Sequence, residues 1–235
     1  MKHSRLSIVP ALMSAALLTA CGGEPATAPD TAREDAAAQA ALQQPVMGPE
    51  RRILAFGNSL FAGYNVAQTD SYPAKLEAAM RAQGINARVT GAGVSGDTTA
   101  AGLQRLAFTL DTQQEKPELF ILELGGNDLL RGIQPDQTRA NLAAMLDELQ
   151  KRGIPVLLMG MRAPPNYGPE FQAQFDGLYP ALAEEYGAQL VPFFLESIYD
   201  KPEMIQSDRI HPTEQGIETL VGATVDAVTA ALPED

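Results

Sequence analysis

The chain has little of what redox and metal chemistry usually require. Among 235 residues there is one cysteine, there are two histidines, and there is no tryptophan. The single cysteine, Cys21, excludes an internal disulfide framework and a multi-thiolate metal site. His3 lies in a basic leader-like stretch, so His211 is the one histidine left for the body of the chain. That excludes a multi-histidine metal centre. No uninterrupted apolar run reaches ~18 residues, so an ordinary membrane span is not expected. Cations are scarce as well: 17 Lys and Arg face 29 Asp and Glu, for a net charge of −12. Binding to nucleic acid needs clustered cations, and this balance argues against it. What is present is an ordinary apolar share of 45%. That is enough to bury the core of one α/β domain.

The first stretch reads as a targeting segment. Met1-Lys2-His3-Ser4-Arg5 is basic, residues 6–18 are apolar, and small residues follow. Leu18-Thr19-Ala20-Cys21 resembles a bacterial lipobox, in which the cysteine is acylated and becomes the mature N-terminus. The plainer alternative is a cleaved signal with a chance cysteine. The expected organisation is a lipoprotein signal peptide over 1–20, a lipidated N-terminus and flexible tether over 21–50, and one α/β domain over 51–235. Pro25, Pro29, Pro45 and Pro49 interrupt the tether, with a short helix expected over 35–44. Acylation of Cys21 would make the membrane a partner, because two or more acyl chains anchor stably where one does not. It would also remove the only thiol nucleophile. Gly22 after the cysteine, rather than Asp, resembles lipoproteins sent to the outer membrane. The expected location is therefore the bacterial cell envelope, on the outer membrane facing the periplasm.

From residue 51 onward, strands and helices alternate. Short apolar runs predict strands over 53–56, 87–90, 119–123, 156–159 and 189–191. Between them, helices are predicted over 72–83, with Ser71 as cap and Gly84 as stop, and over 98–110. A third begins at Pro135 and presents Leu142, Met145, Leu146 and Leu149 on one face. A fourth presents Phe175, Leu178, Tyr179, Leu182 and Tyr186, with a kink or break expected at Pro180. A last helix carries Ile217, Leu220, Val221, Thr224, Val225 and Val228 as its stripe. Repeated β-α units predict a parallel sheet with helices on both sides.

Loops at one edge of such a sheet carry Ser59, then Gly93-Val94-Ser95-Gly96-Asp97, then Gly125-Gly126-Asn127-Asp128. The loop before the last helix carries Asp208-Arg209-Ile210-His211-Pro212. Acyl transfer by serine needs a hydroxyl, an imidazole to take its proton, a carboxylate to orient the imidazole, and donors for the oxyanion. This chain can supply each once. Ser59 is the candidate nucleophile, His211 the base and Asp208 its orienting carboxylate. The N–H groups of Ser59 and Gly96 and the side-chain amide of Asn127 are the candidate oxyanion hole. Each residue also has a plainer reading. Ser59 could cap a helix, a lone histidine is often structural, Asp208 could be a turn residue, and Asn127 and Asp128 could open a helix. Asp97 is expected to cap the helix over 98–110 and is given no chemistry.

Taken in order, these blocks resemble those of the SGNH (GDSL) hydrolases, near the bacterial thioesterase I, lysophospholipase and arylesterase branch. The resemblance rests on Phe56-Gly57-Asn58-Ser59-Leu60, on Gly93-Val94-Ser95-Gly96-Asp97-Thr98-Thr99, on Glu123-Leu124-Gly125-Gly126-Asn127-Asp128, and on Asp208-Arg209-Ile210-His211-Pro212. Residues 161–168 and 191–194 also look like that branch. It implies a flavodoxin-like three-layer α/β/α sandwich with a five-stranded parallel sheet in the order 2-1-3-4-5. It implies Ser59, Asp208 and His211 as the triad, and Ser59, Gly96 and Asn127 as the oxyanion hole. No cofactor and no metal are implied. The substrates implied are small-molecule esters or lipids: short or medium acyl esters, aryl esters, lysophospholipids and thioesters. One position departs from the family pattern: Asn58 stands where the family usually has Asp. If that Asp accepts two N–H bonds, Asn leaves one donor poorly paired.

Two other classes compete. Gly91-Ala92-Gly93-Val94-Ser95-Gly96 fits the G-x-G-x-x-G dinucleotide pattern. It follows the second strand rather than the first, and the nearest acidic strand end, Glu123, lies beyond the ~20-residue spacing the pattern needs. The other rival is a non-catalytic surface lipoprotein that binds hydrophobic or glycan ligands on a degenerate hydrolase scaffold, with Asn58 as its support.

Overall fold

A computed structural model describes residues 46–234. The proposed signal segment, Cys21 and the helix expected over 35–44 lie outside them. Five strands form one sheet: β1 (Arg51–Gly57), β2 (Ala87–Gly93), β3 (Leu119–Glu123), β4 (Val156–Met159) and β5 (Gln189–Val191). The order is β2-β1-β3-β4-β5 and every pairing is parallel. This is the expected topology of a flavodoxin-like α/β/α sandwich, with the strand order reversing beside β1. All five residues of β3 are buried, as are Ile53 to Gly57 of β1. Strands covered on both faces read as unbroken apolar runs for that reason.

Seven α-helices are found among the described residues: α1 (Ser59–Ala62), α2 (Tyr72–Ala82), α3 (Thr99–Asp111), α4 (Gly126–Leu130), α5 (Pro135–Lys151), α6 (Pro169–Tyr186) and α7 (Glu214–Ala231). Helix α2 packs on α7, while α3 packs on α5 and α5 on α6. The predicted stripe of α7 is buried throughout, and so is that of α5. Among the described residues no helix is long and apolar enough to cross a membrane.

Three local expectations need correction. Strand β2 does not stop at Thr90 but runs to Gly93, paired with β1 through Gly57 opposite Gly93. The apolar cue ends at Thr90, whereas the hydrogen-bond ladder needs only backbone. Gly93 is demanded by packing, since a Cβ there would collide with the backbone nitrogen of Ala62. This accounts for the glycine without a bound phosphate. Ser71 holds the N-cap position of α2 as expected, but its hydroxyl makes no capping bond: it donates to the Gln68 carbonyl at 2.8 Å and closes the preceding turn. Pro180 does not break α6, which is continuous across it. Its ring is on the exposed side, so the Asp176 carbonyl deprived of an N–H can bond to water.

Candidate active site

The carboxyl ends of β1, β2 and β3 bring three of the four blocks to one edge, where open α/β sheets bind ligands. After β1 the chain turns at Asn58 into the four-residue helix α1, whose first residue is Ser59. The cap of α1 is Asn58, not Ser59: its Oδ1 accepts the Leu60 N–H at 2.9 Å. The Ser59 hydroxyl does not cap the helix; it lies at the long distance of 3.4 Å from the same Asn58 Oδ1. His211 reaches it from the loop before α7, with Nε2 at 2.7 Å from Ser59 Oγ. On the other side of the ring, Nδ1 lies 2.6 Å from Asp208 Oδ2. An ionised carboxylate can only accept, so the proton sits on Nδ1 and Nε2 offers its lone pair to the Ser59 hydroxyl.

Asp208 is itself held by its own turn. Its Oδ1 accepts the N–H groups of Ile210 at 3.0 Å and of His211 at 3.1 Å. Partial burial opposes its charge, but the imidazole hydrogen bond and these two N–H groups outweigh that and lower its pKa to about 2. The turn requires Arg209 at φ +63°, a left-handed conformation that glycine adopts more cheaply.

The oxyanion candidates belong to α1, the glycine block and α4. Gly96 sits at φ +86° and its carbonyl accepts from the Arg131 guanidinium at 2.8 Å. Among the described residues the N–H groups of Ser59 and Gly96 make no internal hydrogen bond. Asn127 Nδ2 donates to the Asp97 carbonyl at 2.9 Å, which uses one of its two N–H bonds and fixes the amide beside the glycine block. Asp128, fully buried, accepts the Thr99 backbone N–H at 2.8 Å as well as the Thr99 and Thr138 hydroxyls. It ties the asparagine block to α3.

Asp97 does not cap α3. Thr98 does so, accepting from the Ala101 N–H at 3.3 Å. Asp97 Oδ2 instead receives Arg105 Nε at 2.6 Å, while Arg105 also donates to the Gly57 carbonyl at 2.9 Å and lies over the Phe56 ring. That pair pins the glycine block to the end of β1.

A model of the "GDSL-like Lipase/Acylhydrolase family" matches residues 55–218. The chain belongs to this family. It is 42% identical over 161 residues to an arylesterase of Vibrio mimicus, covering 68% of this chain and 80% of that one. It is 41% identical over 160 residues to the "Thioesterase 1/protease 1/lysophospholipase L1" of Escherichia coli (strain K12), covering 68% and 74% respectively. Among solved structures it is similar to AlinE4, an SGNH-hydrolase family esterase, with a TM-score of 0.68 and 64% identity over 80% of this chain and 100% of that one. The protein is an ester hydrolase of the SGNH type, and neither the dinucleotide nor the non-catalytic reading is needed.

Several contacts around the esterase site were not foreseen. Asn58 is tied to Glu123 twice: Nδ2 donates to Glu123 Oε1 at 3.0 Å and its backbone N–H to Glu123 Oε2 at 3.3 Å. The Leu60 N–H, the Asn58 backbone N–H and one Nδ2–H of Asn58 each have an acceptor, so the poorly paired donor expected for Asn in place of Asp is not among them. Burial pushes the Glu123 carboxyl up to about 8, while the two Asn58 donors pull it down. The signal was a charged residue ending a strand that is otherwise wholly apolar. Tyr64 stacks on His211 with ring centroids 4.2 Å apart and 28° between planes. No sequence pattern marks that contact, because 147 positions separate the two rings. Beside Ser59 opens a pocket of about 220 Å³ with an apolar wall that includes Leu129, Met161, Phe193, Leu195, Ile205 and Ile210.

Proposed function

We propose that the protein hydrolyses carboxylic esters through an acyl-enzyme on Ser59. Ser59 Oγ attacks the ester carbonyl carbon as its proton passes to His211 Nε2. The oxyanion accepts from the N–H groups of Ser59 and Gly96 and from the second N–H of Asn127. Asp208 stabilises the imidazolium, which returns the proton to the leaving alkoxide as the C–O bond breaks. Water then loses a proton to His211, attacks the acyl carbon, and the acid leaves with the Ser59 hydroxyl restored. The observation that carries this reading is the chain Ser59 Oγ, His211 and Asp208, joined at 2.7 and 2.6 Å beside the pocket.

The apolar wall of the pocket suits the hydrocarbon part of a short or medium acyl ester, an aryl ester or a lysophospholipid. The names of the related arylesterase and thioesterase 1/lysophospholipase L1 support the same range. With Cys21 lipidated and the domain tethered in the cell envelope at the outer membrane, the enzyme would rarely meet acyl-CoA. Oxygen esters are then the cellular substrates. The test is fluorophosphonate labelling and turnover of a chain-length series of p-nitrophenyl esters. Ser59→Ala should lose the label and nearly all turnover while keeping its circular dichroism, and undiminished turnover would refute the assignment. The anchor has its own test: wild type should incorporate labelled palmitate and Cys21→Ala should not.

A further inference from the structure

Behind Ser59 lies a pair that takes no part in the steps above. Asn58 is 2% exposed and Glu123 is 0% exposed. The polarity of the pair is dictated by the backbone. The Leu60 N–H can only donate, so Asn58 Oδ1 must face it, at 2.9 Å. The amide nitrogen of Asn58 then has to face Glu123, at 3.0 Å. Only glycine at 57 leaves room for the carboxylate, since a Cβ there would lie 2.9 Å from Glu123 Oε2. The Asn58 carbonyl thus faces a donor and its amide nitrogen faces an acceptor.

We infer that Glu123 and Asn58 are positioning residues that set Ser59 on its turn, and that the amide at 58 makes this pair independent of a shared proton. The inference rests on Ser59 being the nucleophile. With Asp at 58, two carboxyl groups would meet in a site that excludes water. Like charges that close cannot both ionise, so the contact would survive only while one proton is shared between them. Raising the pH removes that proton and drives the two side chains apart, moving the turn that carries Ser59. With Asn at 58 the N–H is covalent and is present at every pH. Loss of a proton from Glu123 then gives the two Asn58 donors a better acceptor.

The other titratable groups near the pair are already engaged. Arg105 on α3 donates to Gly57 O and is charge-paired with Asp97. Tyr179 on α6 donates to the Leu124 carbonyl at 2.9 Å and is kept neutral by burial. Asp128 on α4 is bonded to Thr99 and Thr138, and His211 lies beyond Ser59, bonded to its hydroxyl.

The experiment is the pH dependence of kcat and KM on one p-nitrophenyl ester for wild type, Asn58→Asp, Glu123→Gln and the exchanged pair Asn58→Asp/Glu123→Gln. At about pH 6.5, Asn58→Asp should stay within roughly tenfold of wild type in kcat/KM. Between there and about pH 9.5 it should lose a further tenfold or more, in kcat rather than KM, while wild type does not. Glu123→Gln should be slow at every pH, because its amide can face Asn58 donors with a donor. The exchanged pair restores the bonding with the polarity reversed: the glutamine amide at 123 donates to the carboxylate at 58, and its carbonyl accepts the backbone N–H of 58. It should return to within about threefold of wild type at the alkaline end. A ratio of Asn58→Asp to wild type that is flat with pH overturns the inference, as does an exchanged pair no better than Asn58→Asp at high pH. Should Asn58→Asp fail to fold, the comparison of Glu123→Gln with the exchanged pair decides, since adding the second change must then raise kcat. An active wild type with either adverse result overturns this inference alone. A wild type inert toward all esters and unlabelled by fluorophosphonate overturns the nucleophile reading, and this inference with it.

Discussion

Glu123→Gln should change how the stability of the fold depends on pH. In the unfolded chain the Glu123 carboxyl ionises at its ordinary value of 4.5, whereas in the fold burial holds it protonated to about 8. Over that window the native state binds one proton more than the unfolded state, so stability must fall as pH rises. The contribution is fully present below 4.5 and is gone above about 8. The span of ~3.5 units at ~1.36 kcal/mol each amounts to something on the order of 5 kcal/mol. Glutamine has no proton to lose, so its variant should lack this slope. It carries a separate penalty at all pH values of ~1–3 kcal/mol, because an amide N–H would face an Asn58 donor. The two stability curves should therefore cross between about pH 5 and 7, the variant being weaker on the acid side and stronger on the alkaline side. Urea unfolding followed by circular dichroism at intervals across that range gives both curves, with equal m values as the check that only stability changes. Parallel curves would mean that Glu123 is ionised throughout and that the Asn58 donors outweigh burial, which would refute the reasoning.

Four further outcomes follow from the site. Asp208→Asn should keep the fold but lower kcat by roughly 10³–10⁴, because the carboxylate that fixes the Nδ1–H tautomer and stabilises the imidazolium is lost; steady-state kinetics with little change in KM would agree, and near-normal kcat would not. Asp208 is held at about 2. Its ionised state therefore stabilises the loop above about pH 4, and that stability disappears as pH falls toward 2. Tyr64→Leu should lower kcat about two- to fivefold, the worth of a half-exposed aromatic face against the imidazolium, with Tyr64→Phe near wild type in the same assay. Arg209→Gly should raise Tm by about 1–4 °C in calorimetry, since relief of ~1–2 kcal/mol of left-handed strain exceeds the ~0.4–1 kcal/mol that glycine adds to the unfolded chain's entropy. A lower Tm would show that the Arg209 side chain carries a stabilising contact of its own.

Much of the scaffold could be read from local pattern alone. The stripe Leu142, Met145, Leu146 and Leu149 and the stripe from Ile217 to Val228 are buried as their spacing requires, because a helix repeats its face every few residues whatever surrounds it. The strands 119–123, 156–159 and 189–191 have the bounds that their apolar runs indicate. Ladders of backbone hydrogen bonds are less visible, which is why β2 extends through Gly91 and Gly93, beyond the run that ends at Thr90. The site residues Ser59, Gly96, Asn127, Asp208 and His211 were nameable because each stands in a short ordered block. Only Asp208 and His211 lie close enough in sequence for their contact to follow from one turn.

What the sequence by itself determined is which chemical groups exist and where the chain turns: one histidine for the body of the chain, one serine after the first buried strand, and glycines where side chains cannot fit. Only the tertiary structure decided how those groups are supported. Asn58 meets Glu123 across 65 positions, Arg105 reaches back to Gly57, Asp128 binds Thr99, and Tyr64 covers His211. Such contacts are set by strand order and loop closure rather than by spacing. A hydrogen bond across a buried sheet edge constrains only the pair of groups that meet, and neither residue carries a mark of the other until the fold joins them.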